Sequence, residues 1–169
     1  WLAKLSHVLI SVIARGETLK SLTHNGLQFS QGDDSYSIPI VATEDASSLG
    51  VQDLVILAVK GPSLTQVLPQ VKKLIGPQTL LLVAMNGVPW WFFDSFGGNF
   101  EGLKLKTVDP DGVLSDAIAV NQIIGCVLHA SATAQAPGVI RHVAGNKLII
   151  GTANNSESTR LNELKQLLD

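Results

Sequence analysis

The sequence predicts an α/β fold in which a mostly parallel sheet is flanked by helices. Two hydrophobic, β-rich runs, Leu54–Val59 and Thr79–Met85, enclose the helical segment Ser63–Ile75. A strand, a crossover helix and a second strand imply a right-handed parallel unit. A further β-branched run, Val8–Ala14, ends at Arg15–Gly16 and predicts another buried strand with its exit turn.

The other elements follow from turn signals and hydrophobic spacing. Pro39 favours an edge position for its strand, and the turn at 144–146 is expected to separate the last two strands. In chain order we expect a helix over Glu17–His24 closed by Asn25-Gly26, strands over Leu27–Ser30 and Tyr36–Val41, a short helix over Gly112–Ala119, strands over Ile123–His129, Val139–Val143 and Lys147–Gly151, and a Ser-capped helix over Ser156–Leu168.

Composition and charge limit the class of protein. The chain has 169 residues, of which 46% are hydrophobic and 15% charged, with a formal net charge of -2. This predicts a globular domain rather than a disordered chain, and gives no electrostatic reason to expect nucleic-acid binding. The apolar runs are shorter than the roughly 20 residues that span a bilayer, so no membrane association is expected. Cys126 is the only cysteine. With no internal disulfide and no signal peptide expected, a reducing, cytoplasmic location is favoured.

Two polar residues follow the central strands. Lys60 comes directly after Leu54–Val59, and Asn86 directly after Thr79–Met85. Ligands bind at the carboxyl ends of parallel strands, so a cation and an amide at two such ends could share one ligand. The alternative is a solvated strand-end charge beside an ordinary Asn-Gly turn.

An aromatic cluster and two further residues leave alternatives open. Trp90, Trp91, Phe92 and Phe93 could line a pocket, form a lid or present an interface, but core packing at the start of a helix is the favoured interpretation. Cys126 lies in an apolar run, which favours a buried structural thiol over a reactive one. His129 is expected to be a strand histidine rather than a proton carrier.

Taken in order, these segments resemble the ketopantoate reductase family. The resemblance is carried by ARG at 14–16, DLVILAVK at 53–60, MNGVPWWFF at 85–93, GCVLHASATAQAPGVIRH at 125–142 and KLIIGT at 147–152. It implies an NADP-binding, Rossmann-like domain over residues 1–152, with 153–169 forming a helix that leads toward a C-terminal helical domain. It also implies NADPH-dependent reduction of 2-dehydropantoate to pantoate, a step toward pantothenate and coenzyme A.

The same resemblance suggests roles for four residues. Arg15 would contact the 2′-phosphate of NADPH, a role that suits the fork of a guanidinium. Lys60 would line the cofactor cleft, and Ser131 would contact the cofactor. Asn86 would contact both the cofactor and the 2-oxo acid substrate. No metal ligand is implied.

The chain departs from the family at both ends. The first family strand and its glycine-rich G-x-G-x-x-G turn have no counterpart in these residues. The proton-donating lysine and the substrate-binding glutamate belong to the helical domain, so no catalytic residue is expected here and the chain alone is expected to be inactive. Unpaired strand edges would leave it marginally folded, self-associating or exchanging segments with a second copy, a homodimer being one such outcome.

Two other functions stay open. The chain could be a non-catalytic Rossmann-like remnant that acts through protein contacts, with Trp90–Phe93 as its interface. It could also be part of a reductase for another branched 2-oxo acid, since specificity lies mainly in the helical domain of the family.

Overall fold

The structure is a computed structural model that describes residues 2, 5, 8–153 and 158–168. It divides into two compact units. The first comprises Trp1–Leu49 with His129–Lys147, and the second comprises Gly50–Leu128 with Leu148–Leu167. Two long strands contribute residues to both units. They are β7 (Ile123–Ala136) and β8 (Val139–Thr152).

The first unit is built on short parallel and antiparallel pairings. Strand β1 (Ser11–Ile13) pairs in parallel with β4 (Val41–Thr43). Helix α1 (Gly16–Asn25) begins three residues after β1 ends. Strand β2 (Leu27–Gln31) pairs antiparallel with β3 (Asp34–Ile38) and in parallel with β8, which gives the order β3-β2-β8-β7 within this unit.

The second unit contains the expected βαβ unit. Strand β5 (Leu54–Leu57), helix α2 (Leu64–Leu74) and strand β6 (Leu80–Ala84) follow one another, and β5 pairs in parallel with β6. Strand β6 pairs in parallel with β7, so the order within this unit is β5-β6-β7-β8. Helices α3 (Val113–Ala117) and α4 (Thr159–Leu168) complete it. The prediction of a mostly parallel α/β sheet is confirmed.

The core of the second unit lies between its strands and α2. Strand β6 is buried at its three central residues, as expected for a strand covered on both faces. Helix α2 buries one face at the helical spacing. The buried set comprises Val55, Leu57, Leu64, Leu68, Val71, Leu74, Leu81, Leu82, Val83, Ile123 and Ile124.

The prediction of two strands separated by a turn at 144–146 is wrong. One continuous strand, β8, covers Val139–Thr152, and β7 reaches Ala136 instead of stopping at His129. Gly145 has φ +72°, and a Cβ there would overlap the backbone carbonyl of His129. Glycine therefore lets β8 continue past an irregularity that would exclude a side chain. The actual turn is Pro137-Gly138, which joins β7 and β8 as a hairpin.

Two other boundaries differ from the predicted ones. The expected strand Tyr36–Val41 is divided at Pro39, which has no N–H to donate, into β3 and β4. β3 does lie at the edge of its sheet, as Pro39 suggested. The strand expected over Val8–Ala14 is reduced to β1. The predicted helix cap at Ser156 lies outside the described residues.

Candidate functional site

The two polar residues of the second unit lie at the carboxyl ends of adjacent parallel strands. Leu57 of β5 is in register with Val83 of β6. Lys60 follows three residues after β5, and Asn86 two residues after β6; both side chains are exposed. The structure thus brings the loops that carry them to one edge of the sheet, as predicted.

Asn86 is held by the backbone of β7. Its Nδ2 donates to the carbonyl oxygen of Leu128 at 3.0 Å, and its Oδ1 accepts from the Leu128 N–H at 2.8 Å. Both polar atoms of the amide are therefore engaged by one residue. The sequence indicated the position of Asn86 but not this partner, which lies 42 residues away.

Arg15 lies in the first unit, between a strand end and a helix start. It follows β1 by two residues and occupies the N-cap position of α1 with extended backbone, φ -137° and ψ 162°. Its side chain is exposed and makes no hydrogen bond or ion pair to the described residues. The first-turn N–H groups of a helix and a free guanidinium both favour an anion.

Ser131 and His129 both lie on β7 within the first unit. Both are exposed. The expectation that His129 is a strand residue is confirmed. Of the four candidate residues, Lys60 and Asn86 belong to the second unit and Arg15 and Ser131 to the first.

The aromatic segment is partly core and partly surface. Trp90 and Trp91 are 1% and 7% exposed and pack edge to face with ring centres 4.4 Å apart, which confirms core packing for these two. The segment forms turns, however, and the expectation of a helix start is wrong. Phe92 is 44% exposed.

The sequence predicted Phe92 and Phe93 as part of an aromatic cluster, but it did not indicate that Phe96 and Phe100 join them. The phenylalanine cluster comprises Phe92, Phe93, Phe96 and Phe100, whose neighbouring ring centres lie 4.9 to 6.5 Å apart. Phe96 and Phe100 are 54% and 56% exposed. The spacing of these residues, with glycines between them, gave no strand or helix period from which the grouping could be inferred.

Glu101 closes the loop that carries this cluster. Its carboxylate accepts from the backbone N–H of Gly97 at 2.5 Å and of Ser95 at 2.8 Å. These hydrogen bonds, from Gly97 first and then Ser95, hold the pKa of Glu101 below its usual value. Ser95 has φ +69°, a left-handed conformation that is unfavourable for a non-glycine residue. Lys104 adds an ion pair to Asp94 at 2.9 Å.

The described residues contain neither a metal-binding cluster nor a membrane-spanning helix. Across 8–153 and 158–168, no group of three or more His, Cys, Asp or Glu side chains could hold a metal ion. In the same residues no helix combines the length and the apolar character needed to cross a bilayer.

Comparison with known proteins assigns the class. The family described as "Ketopantoate reductase PanE/ApbA" matches residues 1–90. That is more than half of the chain, and the chain belongs to this family of oxidoreductases.

Individual relatives agree with the family match. The chain is 38% identical over 157 residues to the 2-dehydropantoate 2-reductase of Mesorhizobium japonicum, covering 93% of this chain and 48% of that protein. It superposes with TM-score 0.93 and 43% identity on a crystal structure from Ralstonia solanacearum assigned as a ketopantoate reductase, covering 99% of this chain and 51% of that one. The chain therefore spans about half the length of these relatives.

A more distant structure shares the fold alone. The ternary structure of D-mandelate dehydrogenase with NADH and anilino(oxo)acetate superposes with TM-score 0.74 at 16% identity, covering 99% of this chain and 48% of that one. The described α/β arrangement is thus the Rossmann-like domain of these reductases.

Proposed function

We propose that this chain is the cofactor-binding part of an NADPH-dependent reductase that converts 2-dehydropantoate to pantoate, with residues 1–152 forming the nucleotide-binding region. The family assignment supports the reaction. The observation that carries the cofactor proposal is Arg15, an exposed guanidinium at the N-terminus of α1 that bonds to no residue in the described part of the chain.

The chemistry of this position favours a phosphate. A guanidinium presents parallel N–H donors that fit two phosphate oxygens, and the adjoining helix N-terminus adds a favourable dipole. A carboxylate here would instead accept from the 2′-hydroxyl of NADH and repel a 2′-phosphate. Arg15 therefore supports selectivity for NADPH.

The second pair of residues fits the reactive end of the cofactor. Lys60 and Asn86 lie at strand ends, where a ligand meets the sheet in open α/β folds. We propose that Lys60 lines the cofactor cleft and that Asn86 contacts both cofactor and substrate. The amide suits hydroxyl, carbonyl or carboxamide groups because it can donate and accept without carrying a charge. Ser131 would add a cofactor contact.

Cofactor titration tests the proposal. Trp and nicotinamide fluorescence are followed while NADPH, and separately NADH, is added to the purified chain. We expect NADPH to bind more tightly than NADH. Arg15→Ala should lower the ratio of NADPH to NADH affinity about tenfold to a hundredfold, which is the range for loss of one charge-assisted contact. NADH affinity should hardly change.

Two variants serve as controls for this titration. Arg15→Lys keeps the charge and loses the fork, so its preference for NADPH should be intermediate. Arg141→Ala removes another exposed arginine of the first unit and should leave the preference unchanged. An Arg15→Ala variant that retains the full preference would contradict the role of Arg15. A folded chain that binds neither nucleotide would contradict the cofactor proposal.

The substrate is tested separately from the cofactor. In the family a helical domain supplies the lysine and glutamate that act on the keto acid, so we expect this chain alone to bind NADPH without oxidising it when 2-dehydropantoate is added. Reduction of a different 2-oxo acid is the nearest alternative, because the same fold carries anilino(oxo)acetate in D-mandelate dehydrogenase. Rapid turnover by the isolated chain would contradict the expectation.

A protein-contact function is the second candidate. The phenylalanine cluster is the observation that favours it, because contiguous exposed aromatic surface is typical of interaction sites. A double substitution, Phe96→Ser with Phe100→Ser, should leave nucleotide affinity unchanged under the reductase proposal. Loss of self-association in sedimentation measurements, with no nucleotide binding by the parent chain, would favour the contact function instead.

A further inference from the structure

We propose that Asn86 is a positioning residue whose side-chain amide replaces one rung of the backbone ladder between β6 and β7. The proposal rests on the proposed function for its ligand and deepens it, since it states how Asn86 prepares the cofactor and substrate edge of the sheet. The geometry that carries it lies wholly within the second unit.

The register of the parallel strands points to Leu128 as the partner. Residue 84 of β6 is opposite Cys126 of β7. Two residues further along each strand are Asn86 and Leu128, where β6 has already ended and β7 continues. The amide of Asn86 meets the Leu128 backbone there with one donated and one accepted hydrogen bond. The side-chain amide thus makes the two hydrogen bonds that a backbone peptide group would make at the next position of the ladder.

This arrangement determines which way the amide faces. A backbone N–H requires an acceptor and a carbonyl requires a donor, so Oδ1 must face the Leu128 N–H and Nδ2 the Leu128 oxygen. One N–H of Nδ2 and one lone pair of Oδ1 stay available. Those two groups have directions fixed by Leu128, and they are what a bound ligand would meet.

Few other side chains can form the same rung. Aspartate has matching shape, but its carboxylate offers no donor and places a negative charge beside the Leu128 carbonyl. A protonated aspartic acid, in contrast, has one O–H donor and one carbonyl acceptor, as the amide does. Asn86→Asp should therefore form both hydrogen bonds when protonated, and when ionised it should keep only the one accepted from the Leu128 N–H.

The experiment measures two quantities for the full 169-residue chain at pH 3.5 and pH 7.5. The first is the exchange protection factor of the Leu128 amide, and the second is NADP⁺ affinity as the ratio of variant to parent at the same pH. At pH 7.5 the ionised Asn86→Asp side chain still accepts from the Leu128 N–H but cannot donate to the Leu128 carbonyl, so we expect Leu128 protection to be kept and NADP⁺ affinity to fall about tenfold or more. At pH 3.5, below the ordinary aspartate pKa of about 3.9, the carboxyl is mostly protonated and NADP⁺ affinity should recover toward the parent value. Asn86→Ala has neither donor nor acceptor and should lose both Leu128 protection and NADP⁺ affinity at both pH values.

Asn121→Asp is the matched control. Asn121 is an exposed asparagine of the same unit and makes no hydrogen bond through its side chain to the described residues. It should match the parent in both measurements. A residue that merely stabilised the fold would change the melting temperature without a pH-dependent affinity ratio, so that result would overturn the positioning role.

The exchange measurement separates this proposal from the function on which it rests. Unchanged Leu128 protection in Asn86→Ala overturns the rung, even where affinity falls. If the parent chain binds no nucleotide, the proposed function fails, while loss of Leu128 protection would still support the rung itself.

Discussion

Replacing Asp109 tests whether one buried carboxylate holds α3 in place. Asp109 is 6% exposed, and its oxygens accept from the backbone N–H of Leu114 at 3.1 Å and of Ser115 at 2.9 Å. A third hydrogen bond comes from the Ser115 hydroxyl at 2.9 Å. Helix α3 has five residues, too few to be stable without such support. We therefore expect Asp109→Ala to release the start of this helix.

The expected loss in the free energy of unfolding follows from the hydrogen-bond donors that Asp109→Ala leaves unpaired. Three donors lose their acceptor, and the Leu114 N–H is buried. A hydrogen bond to a charged group contributes about 1.5–3 kcal/mol when its loss strands a partner. Water can reach the partly buried Ser115 groups, so we expect the free energy of unfolding to fall by about 2–4 kcal/mol in total. Asp109→Asn keeps one acceptor oxygen and should lose about half as much.

The pH dependence gives an independent check. Burial disfavours the charged form of Asp109, but the hydrogen bonds from Ser115 and Leu114 outweigh it, and its pKa is held below the usual value. A depressed folded-state pKa means that the carboxylate stabilises the fold above the unfolded pKa of about 3.9 and that this contribution is lost as pH falls through the lower folded value. Asp109→Asn should remove this part of the acid sensitivity.

Urea unfolding followed by Trp fluorescence measures these changes. Asp111→Ala is the control, because Asp111 is two residues away, exposed, and bonded through its side chain to none of the described residues. It should change the free energy of unfolding by less than about 0.5 kcal/mol. The reasoning would be refuted if Asp109→Ala were no more destabilising than Asp111→Ala.

Three further outcomes are expected from buried or conformationally restricted positions. Gly145→Ala should destabilise by about 2 kcal/mol or more in thermal unfolding, because of its positive φ and the His129 carbonyl, whereas Gly151→Ala on the same strand has open space and should be mild. Thr79→Val should lower the free energy of unfolding by about 1–3 kcal/mol, because the buried hydroxyl donates one hydrogen bond and accepts another. Burial raises the pKa of the Cys126 thiol, so alkylation of the folded chain should be slow and should accelerate only with unfolding; rapid labelling under native conditions would contradict this.

Prediction succeeded where the hydrophobic spacing along the chain matches the burial of the same residues in the fold. The β5, α2 and β6 elements were predicted in order and type, since their apolar runs are buried by the same packing that their spacing indicates. Lys60 and Asn86 were located for the same reason. Once two strands are parallel, the residues after them lie at one edge of the sheet.

Prediction failed where neighbouring strands, rather than local sequence, determine conformation. The segment ASATAQA, residues 130–136, consists of small and polar residues without a strand period, yet it continues β7. Its exposed residues owe their extended form to pairing with β8. Gly145 gave a wrong prediction for a related reason. Glycine beside asparagine is typical of a turn, but here glycine allows the backbones of β7 and β8 to approach closely.

The case of Asn86 shows why a site can be located from sequence while its mechanism cannot. An asparagine after a strand predicts a ligand contact or a turn, and both interpretations concern local chemistry. Its observed partner is a backbone unit 42 residues away, and no side chain in that partner identifies it. The register of β6 and β7 alone makes Leu128 the partner, so the functional consequence depends on topology. If Asn86→Asp shows the expected pH-dependent affinity, then Asn86 is oriented by its hydrogen bonds to the backbone of β7, and its contact with the ligand depends on those bonds.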